Sequence, residues 1–394
     1  MKKSEHNYDV IVVGGGFAGA VVTREMAERA GKKVLLLESR SHIGGGAYDC
    51  LNEDGVWIHQ YGPHIFHTNN KRAYDYLSRF AAWRSYEHEV AANLDNTLLP
   101  VPFNLNSLRM VFPKEIAARL QQKLITYYGY GAKVIISELH LVADNDLAIL
   151  ADFVYHMIFK GYTQKQWGLS PDQLDYSVTA RVPIHISHDN RYFQDRYQGI
   201  PKDGYCKLFA NMLAHSNITL CLNTKASECL SLRGQQILLW EKPINGEVIY
   251  TGPVDELFDC RFGCLPYRTL DFVFETYPQQ KFQSKATVNY TVSEAFTRIT
   301  EFKHLTGQDC GDKTTILKEY PRAYDADNGD TPYYPIANAE SDAIYHRYTN
   351  LAAGYKRLHL LGRLAQYKYY NMDAVVEQAL KLADALVAGK EIAV

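Results

Sequence analysis

Gly14, Gly16 and Gly19 are spaced G-x-G-x-x-G directly after the apolar run "DVIVV", and a segment with apolar residues at helical spacing follows. This order predicts strand, glycine turn and helix. Gly14 permits the tight turn, Gly16 lets backbone approach a pyrophosphate, and Gly19 lets helix and strand pack closely. The helix start offers free N–H groups and partial positive charge to phosphates, with Phe17 at its first position. "KKVLLLE" then reads as a second strand ending at Glu38, 22 residues after Gly16. That spacing suits an acid bonded to a ribose hydroxyl, with Ser39 beside it, and the charge disfavours a 2′-phosphate. The chemistry implied is dinucleotide binding.

A second stretch, "HQYGPHIFHT", concentrates His59, His64 and His67 in a chain with 14 histidines. Such rings can hold a metal, move protons, or pack beside something flat. A metal needs three or four ligands converging on one point with partners behind them. No carboxylate or cysteine cluster stands nearby in sequence, so no metal is expected. Between the two stretches lies another glycine cluster, Gly44 to Gly46. Flavoproteins of the glutathione-reductase and amine-oxidase type carry such a cluster after the acidic residue, which favours FAD over NAD.

The elements that must carry these residues are legible in outline. "PKEIAARLQQKLITYYGYG" and "DNDLAILADFVYHMIFKGYTQKQWG" place apolar residues three and four apart and predict helices. "LDFVFETY" and "KATVNYTV" alternate as strands. "RLHLLGRL" reads as a strand into a turn, "NMDAVVEQALKLADALVAG" as a closing amphipathic helix, and Thr68-Asn69-Asn70 as a helix start. At 394 residues, 46% hydrophobic and 22% charged, the chain can bury two or three domains. No apolar run reaches membrane-spanning length, and the start lacks the cleavage pattern of a signal peptide, so a cytoplasmic protein is expected. A net charge of −2 gives no reason to expect nucleic-acid or membrane partners. The seven cysteines are scattered without a CxxC pair, so neither a disulfide framework nor a zinc site is expected.

Many dispersed motifs now stand in order: "HIGGGAYD", "YGPHIFHTNN", "PFNLN", "FKGYTQKQWG", "RYFQDRYQGIP", "TGPVDELFD", "YRTLDF", "TRITEFKH", "KEYPRAYD", "PYYPI" and "LGRLAQYKYYNMD". With them the chain resembles the bacterial UDP-galactopyranose mutases nearly end to end. The resemblance implies an α/β fold: a Rossmann-like FAD-binding domain with a helical insertion and an antiparallel β-sheet domain. It divides the chain into FAD-binding segments at 1–80, 201–255 and 335–394, sheet-domain segments at 81–104 and 256–334, a helical domain at 105–180, and a mobile loop with further sheet at 181–200. It implies pyranose–furanose interconversion of a nucleotide-linked sugar without net redox change. N5 of reduced FAD attacks the anomeric carbon, the diphosphate leaves, the sugar ring opens and recloses through its 4-hydroxyl, and the diphosphate returns. NADPH or another outside reductant keeps the flavin reduced, and a homodimer is expected. The furanose donor would feed surface polysaccharide.

Carried over residue by residue, the cofactor site comprises Gly14, Gly16, Phe17, Gly19, Glu38, Ser39, Gly45, Gly46, His64, Ile65, Arg268, Arg363, Tyr370 and Met372. The substrate site comprises His88, Ile158, Tyr162, Thr163, Trp167, Tyr192, Asn289, Arg298, Tyr334, Tyr369 and Asn371. Arg298 matches an arginine that grips the diphosphate, and Tyr192, Tyr334 and Tyr369 match its phenolic donors. His67 sits close to the flavin ring. The catalytic set is then Arg298, His67, His185, Tyr334 and Tyr369.

The pattern is departed from at several positions. His185 stands where a loop arginine reaches the diphosphate, and His88 where an asparagine contacts the sugar. Asn371 replaces an aspartate, Gly46 an asparagine and Phe302 a histidine. These cluster on the sugar and diphosphate side, so the chemistry is kept while the sugar can differ. A substrate lacking the 6-hydroxyl, dTDP-fucopyranose, fits beside UDP-galactopyranose, and Ile158 leaves room for a thymine methyl. Two other readings stay open: a flavin oxidoreductase of the amine-oxidase type, which would consume oxygen, and an inactive sugar-nucleotide-binding relative.

Overall fold

A computed structural model describes residues 8–168 and 183–390. The end of the expected helical domain, 169–180, and the first residues of the expected mobile loop, 181 and 182, lie outside the described residues. The nucleotide-binding unit is built on a five-stranded sheet in the order Ile218–Cys221, Val34–Leu37, Val10–Val13, Glu247–Tyr250, Leu358–Leu360. All four pairings are parallel. Strands buried on both faces read as continuous apolar runs, as "VIVV" and "VLLL" do. Val10, Val12, Val34 and Leu36 face one core with the helices Phe17–Glu28, Gly204–Leu213 and Met372–Val387. Ile11, Val13, Leu35 and Leu37 face a second core that holds Tyr348 and Tyr355.

The chain leaves this unit to build a seven-stranded sheet. Its order is Tyr334–Pro335, Tyr267–Tyr277, Thr314–Ala323, Arg298–Glu301, Thr287–Tyr290, Val90–Leu94, Thr97–Val101. The pairings are antiparallel except that between Thr287–Tyr290 and Val90–Leu94, which is parallel. An early hairpin is thus joined to the sheet edge almost 200 residues before its neighbour. Asn289, Arg298 and Glu319 sit side by side across three strands, so their side chains share one face of the pleat.

Helices Leu105–Val111, Lys114–Tyr128 and Asn145–Val154 form a third core with the Val90–Val101 hairpin. The segment expected as one long helix is interrupted. After Val154 the backbone opens into a π-helical stretch, Tyr155–Lys160, before the helix Gly161–Trp167. Thr291 locks this region by donating its hydroxyl to the Met157 carbonyl at 2.7 Å. A Cβ on Gly161 would lie 2.0 Å from the Thr291 carbonyl oxygen, so a glycine is needed for that approach. π-helical turns are common where a helix must re-aim side chains at a site.

Candidate active site

The glycine turn behaves as its spacing predicts. Gly14 has φ +101°, and a Cβ on Gly19 would lie 1.9 Å from the Gly14 carbonyl oxygen. Gly16 is the N-cap of the helix Phe17–Glu28 and offers no side chain to it, which leaves the first-turn N–H groups for a ligand. The Phe17 ring packs inward on Phe209 at 4.7 Å, so only its backbone is offered to the turn. Glu38 is fixed at the end of its strand. Its carboxylate accepts the Gly15 N–H at 2.7 Å and the Arg40 N–H at 2.9 Å. Ser39 donates to the same carboxylate at 3.3 Å. The second glycine cluster crosses directly over the first: Gly44 N–H bonds the Gly15 carbonyl at 2.9 Å, and a Cβ on Gly45 would sit 2.9 Å from Gly16 Cα. These groups fit a dinucleotide cofactor on the chemistry of the donors and on the bare backbone they expose.

Beyond Gly46 opens a cleft of 630 Å³ between the nucleotide unit, the seven-stranded sheet and the helical part. Gly46, His64, Ile65, Arg363 and Met372 line the end next to the glycine turns, and His88, Ile158, Tyr162, Thr163, Trp167 and Tyr192 line the helical side. His67, Asn289, Arg298, Tyr334, Tyr369 and Asn371 complete it. A smaller cavity of 340 Å³ near Ser78–Ala82 and Asn211 gathers no comparable set of polar groups.

The three histidines are turned to three different tasks. His59 is fully buried and its Nδ1 accepts the His64 N–H at 3.0 Å, pinning the turn; burial pushes it down to about 4. His64 donates from Nδ1 to the Gly62 carbonyl at 2.9 Å, so its Nε2 is bare and faces Gly46. His67 donates from Nδ1 to Asp195 at 2.8 Å and stacks on Phe193 at 3.5 Å, so its Nε2 is also a bare acceptor. Burial, with Arg298 and His67 nearby, pushes His88 down to about 3, so this ring is neutral at pH 7.

Arg298 lies at the centre. Its Nε donates to Glu319 at 2.7 Å, and neither Nη has a hydrogen-bond partner among the described residues. Burial works against its charge, but Glu319 more than offsets this and holds the guanidinium well above its usual pKa. Burial raises the Tyr162 and Tyr334 phenols, so both are donors at neutral pH. Trp167, Tyr334 and Tyr369 form an aromatic wall, with the two tyrosine rings stacked at 5.6 Å. The Arg363 guanidinium covers Tyr369 at 4.7 Å and donates to the Tyr370 carbonyl at 2.6 Å, so Tyr370 contributes through its backbone.

Two expected residues are not brought to the cleft. His185 pairs with Lys133 in a short antiparallel ladder, and its side chain is buried against the helical part with Nδ1 unpartnered. Its ladder partner Lys133 lines the cleft, but His185 itself does not. Arg268 donates to the Lys165 and Gln166 carbonyls at 3.1 and 3.0 Å, which caps the helix Gly161–Trp167 with positive charge. It ties that helix to the sheet rather than lining the cleft.

A family model described as UDP-galactopyranose mutase matches residues 157–369, and one for an NAD(P)-binding Rossmann-like domain matches residues 12–80. A UDP-galactopyranose mutase of Mycoplasma pneumoniae is 36% identical, covering 97% of each chain. A probable UDP-galactopyranose mutase of Klebsiella pneumoniae is 34% identical over 96% of this chain and 94% of the relative. The chain belongs to the UDP-galactopyranose mutase family. A dTDP-fucopyranose mutase of Escherichia coli is similarly related, 32% identical over 95% of this chain and 97% of that one. The fold matches a crystal structure of reduced UDP-galactopyranose mutase with a TM-score of 0.72 at 13% identity, covering 98% and 96% of the two chains. Members of this mutase family are isomerases, and this chain is one of them.

Asp195 and Phe193, which contact His67, and Glu319, which holds Arg298, are residues of this region that the motifs contained but did not single out. Asp195 and Phe193 stand in "RYFQDRYQGIP" and Glu319 in "KEYPRAYD". An acidic residue in an aromatic motif, and a carboxylate alternating toward the same face as Arg298, were the available signals.

Proposed function

We propose that this mutase interconverts the pyranose and furanose forms of a nucleotide-linked galacto-sugar, either UDP-galactopyranose or dTDP-fucopyranose, with FAD as cofactor. The observation that carries the proposal is Arg298: a half-buried, charged fork, both Nη groups without a hydrogen-bond partner among the described residues, lining a cleft that begins at a dinucleotide turn. Gly14, Gly16, Glu38 and Gly45 would hold FAD, which in its reduced form would supply a nucleophile to the anomeric carbon. The protein's share is position and charge.

Arg298 donates to the departing diphosphate in the planar fork that suits phosphate oxygens. Glu319 fixes the fork by its Nε and keeps it charged. Tyr162 and Tyr334 remain protonated and add donors to the same oxygens. Ring opening and reclosure need a proton moved between the ring oxygen and the 4-hydroxyl. His67 Nε2 is a base for that proton, with the resulting charge balanced by Asp195. Trp167, Tyr334 and Tyr369 exclude water that would otherwise hydrolyse the sugar. We further place the enzyme in the cytoplasm as a homodimer, kept reduced by an external donor such as NADPH and feeding surface polysaccharide, on the family resemblance. Among the described residues, no helix is long and apolar enough to cross a membrane.

The test is to incubate the protein with UDP-galactose, UDP-N-acetylgalactosamine and dTDP-fucose, with flavin oxidised or reduced, and to separate products by chromatography. Furanose product from UDP-galactose or dTDP-fucose in the reduced state alone is expected. No product from any donor by protein loaded with reduced flavin contradicts the proposal. Substrate-driven flavin reduction with oxygen uptake would assign an oxidoreductase instead.

A further inference from the structure

Far from the cleft in sequence logic, the turn between the strands Glu247–Tyr250 and Tyr267–Tyr277 gathers Asp255, Cys260 and Cys264. One carboxylate oxygen and the two Sγ atoms all lie within 4.8 Å of one another. Cys260 Sγ is 4.0 Å from Asp255 Oδ2. A tetrahedral zinc ion with bonds of ~2.3 Å to sulfur separates its ligands by ~3.8 Å, so only small side-chain movements would bring the three to bonding distance. Asp255 is 3% exposed. Its Oδ2, the oxygen next to Cys260 Sγ, accepts the Leu265 N–H at 2.8 Å. Cys264 is exposed and Cys260 half-buried, so an ion has a way in from solvent.

We propose that Asp255, Cys260 and Cys264 bind one zinc ion, with water in the fourth position. The two thiols give their protons to solvent on binding. The site braces a joint: Tyr348 donates to the Gly263 carbonyl and accepts the Phe262 N–H on one side, and the strand beginning at Tyr267 leads to the cleft wall on the other. The sequence spacing argued against zinc because Cys-x-x-x-Cys lacks the usual tight pair; the fold supplies the third ligand from the short helix Val254–Leu257.

Flavin-loaded protein, reduced with a phosphine and incubated with zinc sulfate, is desalted and its metal counted by mass spectrometry. Retention of one zinc per chain is expected, falling to background in C260S/C264S. C264S alone changes only an exposed thiol and is expected to lose most of the zinc with flavin content intact. Cobalt substituted for zinc is expected to give tetrahedral d–d bands to the red of oxidised flavin in the wild type only. The other five cysteines are present in every variant and serve as the control. No zinc retained by the wild type, or equal retention by C260S/C264S, overturns the proposal.

Discussion

Arg298 and Glu319 face each other across neighbouring strands, and the pair decides what the cleft can hold. Truncation in Arg298→Ala removes the main charge at the leaving group and should lower kcat/KM by about 10²- to 10³-fold, with flavin affinity unchanged. Glu319→Gln keeps the shape but weakens the restraint on the fork, and a smaller loss is expected. Asp195 accepts from His67 Nδ1 at 2.8 Å. Asp195→Asn should lower kcat, because the ring then loses its fixed tautomer, with KM for the sugar nucleotide little changed; an unaltered kcat would refute this role. The glycines and the aromatic lining residues were legible because the types themselves carry the signal. Asp195 and Glu319 were not, because their importance arises only from partners that folding brings together, 128 residues away in the case of His67. His185 and Arg268 show the reverse. Their types suit phosphate or flavin, but His185 is buried beside a two-stranded ladder and Arg268 bonds the end of a helix, so neither lines the cleft.

Elements act by fixing these side chains in phase. The π-helical stretch Tyr155–Lys160 sets the rotation at which Ile158, Tyr162, Thr163 and Trp167 reach the cleft. Gly161→Ala would force a Cβ onto the Thr291 carbonyl. A loss of about 1–3 kcal/mol in stability and a raised KM for the sugar nucleotide are expected, read by urea unfolding and steady-state kinetics. No sequence pattern announced this turn, since apolar spacing continues through it. By contrast, the helix Lys71–Ser78 starts where Asn70 predicts it, and that side chain accepts the Ala73 N–H. Asn70→Ala should cost about 1 kcal/mol in the same unfolding assay without touching KM.

Taken as a whole, the molecule buries histidines as neutral rings. His59 and His88 are held down at about 4 and about 3 by burial. Their unfolded counterparts take up protons near pH 6.5. As pH falls below that value the unfolded state binds protons the folded state refuses, so stability present at pH 7 is lost progressively toward pH 4. Each ring contributes up to about 1.4 kcal/mol per pH unit over that window. The urea midpoint should fall steadily from pH 7 to pH 5 and less steeply in His59→Gln; equal midpoints would count against it. The parallel sheet and the order of the segments were readable from apolar runs and motifs. The joining of Val90–Leu94 to Thr287–Tyr290 was not, because a pairing so distant in sequence leaves no local trace.

In the proposed reaction the anomeric carbon–oxygen bond breaks while Arg298 holds the diphosphate. Positional isotope exchange reads this directly. A substrate carrying ¹⁸O in the bridge between the sugar and the diphosphate is incubated with reduced enzyme, and its recovered phosphates are examined by ³¹P NMR. The label is expected to move into non-bridging positions with reduced protein, not with oxidised protein, and far more slowly in Arg298→Ala. Furanose formation with the label still wholly in the bridge would contradict it.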